Sequence, residues 1–339
     1  MINLESPKIA VVGAGAWGTA LAFVLASKGF PVTLWAREEE VVAAVNAEHE
    51  NTVFLPGAKL PENLTATSDL QAAVSGKDLI VSVVPSQFLR SVVREMKDHL
   101  QPGTAIVSAS KGIEKDTLAL MSDVFLEELP REMHGSLCYI SGPSFAKEVA
   151  QKMPTNVTLA CENGRIARQV QAVFHQPWFR VYTSYDVVGV ELGGALKNVI
   201  ALAAGALEGM GMGYNTQCAM ITRGLAEISR LGVRMGANPL TFAGLSGMGD
   251  LVLTCMGSLS RNRTVGERIG KGEKVEDILG GMKQVAEGVE TARSTWQLAQ
   301  RESVEMPIAE QVYRVLHEGK DVKIALQDLL ARDLKSELE

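Results

Sequence analysis

The sequence is short of several things, and each shortage narrows what the chain can do. Only four cysteines occur in 339 residues: Cys138, Cys161, Cys218 and Cys255. No two are spaced as a C-x-x-C pair, so no metal site is expected. They read as small core residues in a reducing compartment. Positive charge is not in excess, since 33 Lys and Arg face 39 Asp and Glu, for a formal net charge of −6. With aromatics at only 5%, this disfavours nucleic acid and acidic lipid as partners. An anionic ligand would need a local basic pocket instead. The start, "MINLESPKIAVVGAG", has no basic head followed by an apolar run and a cleavage site. No signal peptide is therefore visible, and the cytoplasm is the expected location. The most apolar stretch, 189–211, is interrupted by Glu191, Lys197 and Glu208 and is rich in glycine, which argues against membrane insertion. No low-complexity linker and no internal repeat is found.

What is present falls into two rhythms. The length of 339 residues suits two domains. Up to about residue 188, apolar runs alternate with helical patterns. "KIAVVGAG" (8–15), "PVTLWAR" (31–37), "DLIVSVVP" (78–85), "GTAIVSASKG" (103–112), "LCYISGP" (137–143), "TNVTLAC" (155–161) and "FRVYTS" (179–184) read as strands. Helices are predicted over 17–28, 38–48, 87–100 and 116–129. Such alternation predicts a largely parallel, doubly wound sheet. From 189 onward only helical patterns appear, over 189–209, 216–234, 239–256, 274–282, 287–302, 308–318 and 322–338. The expected fold is α/β plus all-α: a Rossmann-type dinucleotide-binding domain over 1–188 and an all-helical substrate domain over 189–339.

Gly13-Ala14-Gly15-Ala16-Trp17-Gly18 is a G-x-G-x-x-G turn after a strand and before a helix. Its glycines serve a tight turn, backbone approach to a pyrophosphate, and close helix–strand packing. The helix N-terminus then faces the anion. Folds of this kind that select NAD place an acid about 20 residues on, against the ribose 2′-hydroxyl. Here the second strand ends "LWAREEE", so the first polar side chain is Arg37, which suits a 2′-phosphate and hence NADP. Two alternatives stand beside that: Arg37 as an ordinary exposed strand end, and Glu38 as the hydroxyl partner.

Ligands of such sheets bind beyond the carboxyl ends of the strands. Lys111 in "SASKG", and Gly142, Ser144 and Ala146 in "SGPSFAKE", are placed there. In the helical half, Lys197 lies in "GVELGGALKNVIALAAGALEG". Its neighbours three and four positions away, Gly193, Gly194, Ile200 and Ala201, include no carboxylate. Either its head reaches water, or it is buried, pairs with a distant carboxylate and has a lowered pKa suited to proton exchange. Asp250 in "GLSGMGDLVLTC" is the best distant candidate, itself either a helix cap or a buried, paired charge. "SLSRNRTVG" gathers Ser260, Arg261, Asn262 and Arg263, either a phosphate site or a solvated basic loop.

Taken together, "VVGAGAWGTALA", "VVPSQ", "SKGIE", "SGPSFAKEV", "GVELGGALKNVIALAAG", "ITRGLAEISRLG", "GLSGMGDLVLTC" and "SRNRTVG" resemble bacterial NAD(P)-dependent glycerol-3-phosphate dehydrogenases over about residues 8–320. The resemblance implies a homodimer that interconverts dihydroxyacetone phosphate and sn-glycerol 3-phosphate, feeding phospholipid synthesis, with NADP(H) or NAD(H) and no metal. It implies Lys197 as proton donor and acceptor, oriented by Asp250, with Asn198 and Thr254 in support. Lys111 would contact substrate and cofactor. Gly142, Ser144, Ser260, Arg261 and Asn262 would line the substrate pocket, the last three holding phosphate. Gly13, Gly15, Ala16, Trp17, Gly18, Arg37, Ala146, Arg261, Val285 and Glu287 would meet the cofactor. Relatives often carry Ser where this chain has Ala16, which removes one hydroxyl from the phosphate turn. Gly193, Gly194 and Ala201 are expected to let the Lys197 helix approach the cofactor domain. Two rivals share parts of the pattern: a sister dehydrogenase of 3-hydroxy acids or sugar phosphates, and a non-catalytic NADPH sensor.

Overall fold

The computed structural model describes residues 2, 4–281, 286–334, 336 and 337. Eight strands form one sheet: β1 (Ile9–Val12), β2 (Val32–Trp35), β3 (Leu64–Thr67), β4 (Leu79–Ser82), β5 (Ala105–Ser108), β6 (Leu137–Ser141), β7 (Thr155–Ala160) and β8 (Phe179–Ser184). Their order is β3-β2-β1-β4-β5-β6-β7-β8. All neighbours are parallel except β6 and β7. The chain runs outward from β1 first to β2 and then to β4, so the crevice for a ligand opens beyond the end of β1. The sequences of β1, β4 and β5 (IAVV, LIVS, AIVS) are buried at every position, as helices on both faces of a parallel sheet require.

From Val187 on, the described residues form helices and turns without strands. The helix Val187–Gly209 is the spine of this half. Asp186 caps it, accepting the Gly189 N–H at 3.0 Å. It packs directly against the helix Arg261–Gly270 through glycines on both sides. A Cβ at Gly205 would lie 2.0 Å from the Arg263 carbonyl oxygen, and one at Gly266 would lie 2.0 Å from that of Leu202. No side chain fits between these backbones. The two halves also interdigitate. Ile113 and Leu120, from the sheet half, are buried among Leu196, Ile200 and Leu298 of the helical half, and Val190 of the spine packs with the sheet-side cluster. By length and apolarity the helix Val187–Gly209 and the broken helical run Pro239–Met256 could each cross a membrane; the first is mostly buried inside the protein.

Several local expectations need correction. The helix predicted over 116–129 starts only at Met121, because Asp116 and Leu118 adopt left-handed φ of 69° and 58°. The helix predicted over 239–256 is broken into Pro239–Phe242, a wide turn at Leu245–Gly249, and Asp250–Met256. The break follows the glycines: a Cβ at Gly247 would meet the Phe242 carbonyl oxygen at 2.2 Å. The "SRNRTVG" segment is not a loop but the start of the helix Arg261–Gly270, capped by Ser260. The helix predicted over 322–338 ends at Leu330. Strand β3 and the helices Leu70–Val74 and Gly164–Phe174 were not anticipated. Cys138, Cys161 and Cys255 are buried as expected, but Cys218 is exposed.

Candidate active site

The glycine turn is built as its spacing requires. Gly13 has φ +113°, and a Cβ there would lie 2.6 Å from the Val83 carbonyl oxygen. At Gly18 a Cβ would lie 1.8 Å from the Gly13 carbonyl oxygen, so the helix Ala16–Ala26 starts hard against the turn. Around the Cβ position of Gly15 nothing lies within 4 Å. The turn is thus closed on the protein side and open where a pyrophosphate would approach, and these residues fit a dinucleotide. Ala16 and Trp17 form the first turn of that helix. Sequence reading missed the residue that braces the turn. Buried Asn51 donates to the Ala14 carbonyl and to Thr19 Oγ1, both at 2.8 Å. Asn51 precedes the irregular stretch 52–58, and no local pattern announces it. Arg37 follows β2 and is highly exposed, with a loose 3.5 Å pair to Glu38. Such a surface pair contributes little, leaving the guanidinium available to a ligand.

On the helical side, Lys197 is buried: its side chain is only 9% exposed. It projects from the middle of the spine onto Asp250, and its ammonium pairs with Asp250 Oδ1. The other oxygen, Oδ2, accepts Lys111 Nζ at 2.8 Å. One carboxylate, 1% exposed, therefore joins a lysine from each half. Thr254, one turn along the Asp250 helix, donates to the Asp250 carbonyl at 2.6 Å. Ser141, at the end of β6, lies 3.4 Å from Oδ2 and was not among the expected residues, although it begins the "SGPS" motif. The close packing that brings these groups together depends on Gly194, where a Cβ would lie 2.6 Å from Ser141 Oγ and 3.7 Å from Lys111 Cδ. Gly193 does not face the sheet half as expected. It faces the helical half's own turn, with Ser246 O at 2.3 Å from its Cβ position. Ala201 likewise lies in the helical core.

The electrostatics follow from burial and pairing. Burial lowers the Lys197 ammonium to about 8, with Lys111 adding to the lowering and Asp250 opposing it. Burial alone would raise Asp250, but Lys111 and Lys197 outweigh it and hold the carboxyl below its usual range. Burial raises the Glu287 carboxyl, opposed by the charges of Arg261, Lys111 and Lys197. The thiol of Cys255 also borders the cluster, pushed up to about 12 by burial. Lys197 is therefore a cation whose proton is loosened by burial, held beside a carboxyl that the two lysines keep below its usual range.

Next to Lys197, Asn198 Oδ1 accepts Asn262 Nδ2 at 3.0 Å, and Asn262 Oδ1 accepts the Gly288 N–H at 3.0 Å. One Asn262 Nδ2 hydrogen and Oδ1 are thus engaged with the protein, and its backbone lies in the first turn of Arg261–Gly270. That helix end favours anions, and Ser260 caps it by accepting the Arg263 N–H at 3.3 Å. Arg263 turns away and pairs with Glu208 of the spine. Ser144 Oγ donates to the Gly142 carbonyl at 2.9 Å, and Ala146 opens the short helix Ala146–Ala150. Glu287 opens the helix Glu287–Glu302. Val285 lies outside the described residues.

Comparison with known proteins agrees with this arrangement. The profile for the NAD-dependent glycerol-3-phosphate dehydrogenase N-terminus matches residues 8–167, and that for the C-terminus matches 186–327. The chain belongs to the NAD-dependent glycerol-3-phosphate dehydrogenase family. It is 57% identical over 330 residues to a glycerol-3-phosphate dehydrogenase [NAD(P)+] of Geobacter metallireducens, covering 97% of this chain and 98% of that one. A Leptospira biflexa protein of the same description is 53% identical over 97% of this chain and 99% of its own. The crystal structure of glycerol-3-phosphate dehydrogenase from Coxiella burnetii superposes with a TM-score of 0.91 at 41% identity, covering 96% of this chain and 99% of that one. A ketopantoate reductase from Ralstonia eutropha shares the fold alone, at 16% identity and a TM-score of 0.59 over 95% of this chain and 99% of that one. The chain is accordingly an NAD(P)-dependent oxidoreductase, and among its described residues no cluster of metal-ligating side chains occurs.

Proposed function

We propose that the chain reduces dihydroxyacetone phosphate to sn-glycerol 3-phosphate reversibly, with Lys197 exchanging the proton at the C2 oxygen. The observation that carries this reading is the pairing of Lys197 and Lys111 on the two oxygens of buried Asp250. When bound, a reduced nicotinamide dinucleotide supplies hydride to the ketone carbon. Lys197 donates its proton to the ketone oxygen as negative charge grows there. Lys111 adds a second cation against the same charge. Asp250 holds both ammonium groups and offsets the cost of burying them. The substrate phosphate is held by Arg261 and the head of its helix, with Ser260, Gly142 and Ser144 lining the pocket. That remote hold fixes C2 in front of Lys197.

The Gly13–Gly18 turn holds the dinucleotide, Ala146 and Glu287 border it, and Arg37 reads the 2′-phosphate, making NADP(H) the preferred form. The product supplies phospholipid synthesis in the cytoplasm, a location that suits four free thiols. The working form is a homodimer. The exposed apolar residues Val252 and Met256, one helical turn apart, with nearby Met248, support an apolar contact face, and sedimentation of the purified protein checks it. The reaction itself is tested by following NADPH and NADH oxidation with dihydroxyacetone phosphate and, in parallel, 2-dehydropantoate. Oxidation dependent on dihydroxyacetone phosphate, faster with NADPH, is expected. Oxidation with 2-dehydropantoate alone, or with neither substrate, would overturn the reading.

A further inference from the structure

Lys111 precedes an irregular segment that closes on itself locally, the Glu114 N–H donating to the Ala119 carbonyl at 2.9 Å and the Leu118 N–H to the Glu114 carbonyl at 3.0 Å. Between β5 and the helix that starts at Met121, Asp116 and Leu118 take left-handed φ values. Non-glycine residues hold such conformations only where their surroundings over-determine them. Much of the hold on this segment from outside it comes from side chains of one helix, Ser86–Met96. Arg90 grips Glu114 with three hydrogen bonds, Nε to Oε1 at 2.9 Å, Nε to Oε2 at 3.2 Å and Nη2 to Oε2 at 2.7 Å. Thr117 Oγ1 closes the loop by donating to Glu114 Oε2 at 2.5 Å. Arg90 Nη1 then reaches Glu127 at 2.7 Å and Glu128 at 2.8 Å. Gln87 donates to the Ile113 carbonyl at 2.9 Å and accepts the Lys115 N–H at 3.0 Å. On the opposite side, Ile113 is sealed in the helical core. The segment is pinned at both faces, and Lys111 hangs from its start.

We propose that Arg90 and Glu114 are positioning residues for Lys111: their forked ion pair sets the loop so that the Lys111 ammonium reaches Asp250. Neither residue belongs to the lysine–aspartate cluster itself. A planar guanidinium fixes direction as well as charge, which suits a loop that must hold one lysine in one place. The inference rests on the reaction proposed above.

The test compares Arg90→Ala, Arg90→Lys and the near-isosteric Glu114→Gln with Arg94→Ala. Arg94 pairs with Glu128 at the exposed rim of the same network. Arg90→Ala and Glu114→Gln are expected to lower kcat/KM for dihydroxyacetone phosphate by roughly tenfold to a hundredfold, the scale of a small misplacement. Arg90→Lys, lacking the fork, should not restore it, and Arg94→Ala should stay within about twofold, as for a surface pair. NADPH titration and thermal melting identify the folded variants. The discriminating readout is the basic limb of the pH profile. Lys111 near Lys197 lowers the Lys197 pKa, so withdrawing Lys111 must move that limb upward, whereas loss of folded enzyme lowers the rate without moving it. Folded Arg90→Ala and Glu114→Gln enzymes with wild-type kcat/KM, or with lowered kcat/KM on an unshifted profile, would overturn the inference. Failure of the wild type to turn over dihydroxyacetone phosphate would instead remove the reaction on which it rests.

Discussion

Lys197 and Lys111 meet on the same carboxylate but reach it from unlike ground. Lys197 projects from a 23-residue helix whose backbone is fixed by its own hydrogen bonds and by glycine-to-backbone packing against Arg261–Gly270. Lys111 leaves the end of a strand on a loop with two left-handed residues, held by side chains from elsewhere. A regular element positions a catalytic group through backbone packing, and it is broken by adding atoms. An irregular segment positions one through ion pairs, and it is broken by removing them.

The largest effect is expected at the groups themselves. Lys197→Ala should lower turnover by about 10²–10⁴-fold, the usual contribution of a general acid. Lys111→Ala should cost less, since it removes charge stabilisation but leaves the proton donor. Steady-state rates on variants that bind NADPH like wild type check this order, and a smaller loss at Lys197 than at Lys111 would reverse the roles. Next comes the helix packing. Gly266→Ala puts a methyl group 2.0 Å from the Leu202 carbonyl oxygen and should destabilise the fold by about 1–3 kcal/mol or more, as overpacking does. Denaturant unfolding measures it, and an unchanged midpoint would mean that the helices separate easily.

Arg37 lies in neither region and serves as their control. Arg37→Ala should lower the NADPH-to-NADH preference about tenfold, the scale of one charge-assisted contact, without changing kcat for the better cofactor. An unchanged preference would show that Arg37 does not read the 2′-phosphate. A separate, pH-dependent effect concerns Glu191, on the same helix as Lys197. Its Oε1 accepts the Ser122 N–H at 3.0 Å, and its Oε2 is buried without a hydrogen-bond partner among the described residues. Burial raises this carboxyl from 4.5 to about 8. Because the folded value is raised, its stabilising contribution is complete below about 4.5 and is lost as pH rises through about 8. Glu191→Gln should therefore match wild-type Tm near pH 5 and exceed it near pH 9, by the same linkage. Equal Tm differences at both pH values would show that Glu191 does not titrate in this range.

The geometry of the glycine turn was legible because it is local: six consecutive residues carry the glycines, and their order matches the close approaches at Gly13 and Gly18. The central strands were legible because, buried on both faces, they read as unbroken apolar runs, whereas the half-exposed β3, LTAT, did not. Lys197 was half legible, since its apolar helix demanded a partner without naming one. Only tertiary contact joins it to Asp250, 53 residues away. The support of Lys111 was not legible. Arg90 and Glu114 are ordinary surface-type residues in sequence, and the helical appearance of 116–129 hid the left-handed backbone that follows Glu114. Asn51 was missed for the same reason, since bracing a turn from 37 residues away leaves no periodic trace.

The most direct test of the lysine–aspartate centre is the pH dependence of kcat/KM in both directions. Burial places the Lys197 ammonium at about 8, and kcat/KM reports the free enzyme. Ketone reduction needs the proton on Lys197 and should fall as pH rises through about 8, whereas glycerol phosphate oxidation needs it off and should rise through the same value. Mirrored limbs that vanish in Lys197→Ala are the expected result. A profile flat in either direction near that pH, or unchanged in Lys197→Ala, would contradict Lys197 as the proton donor.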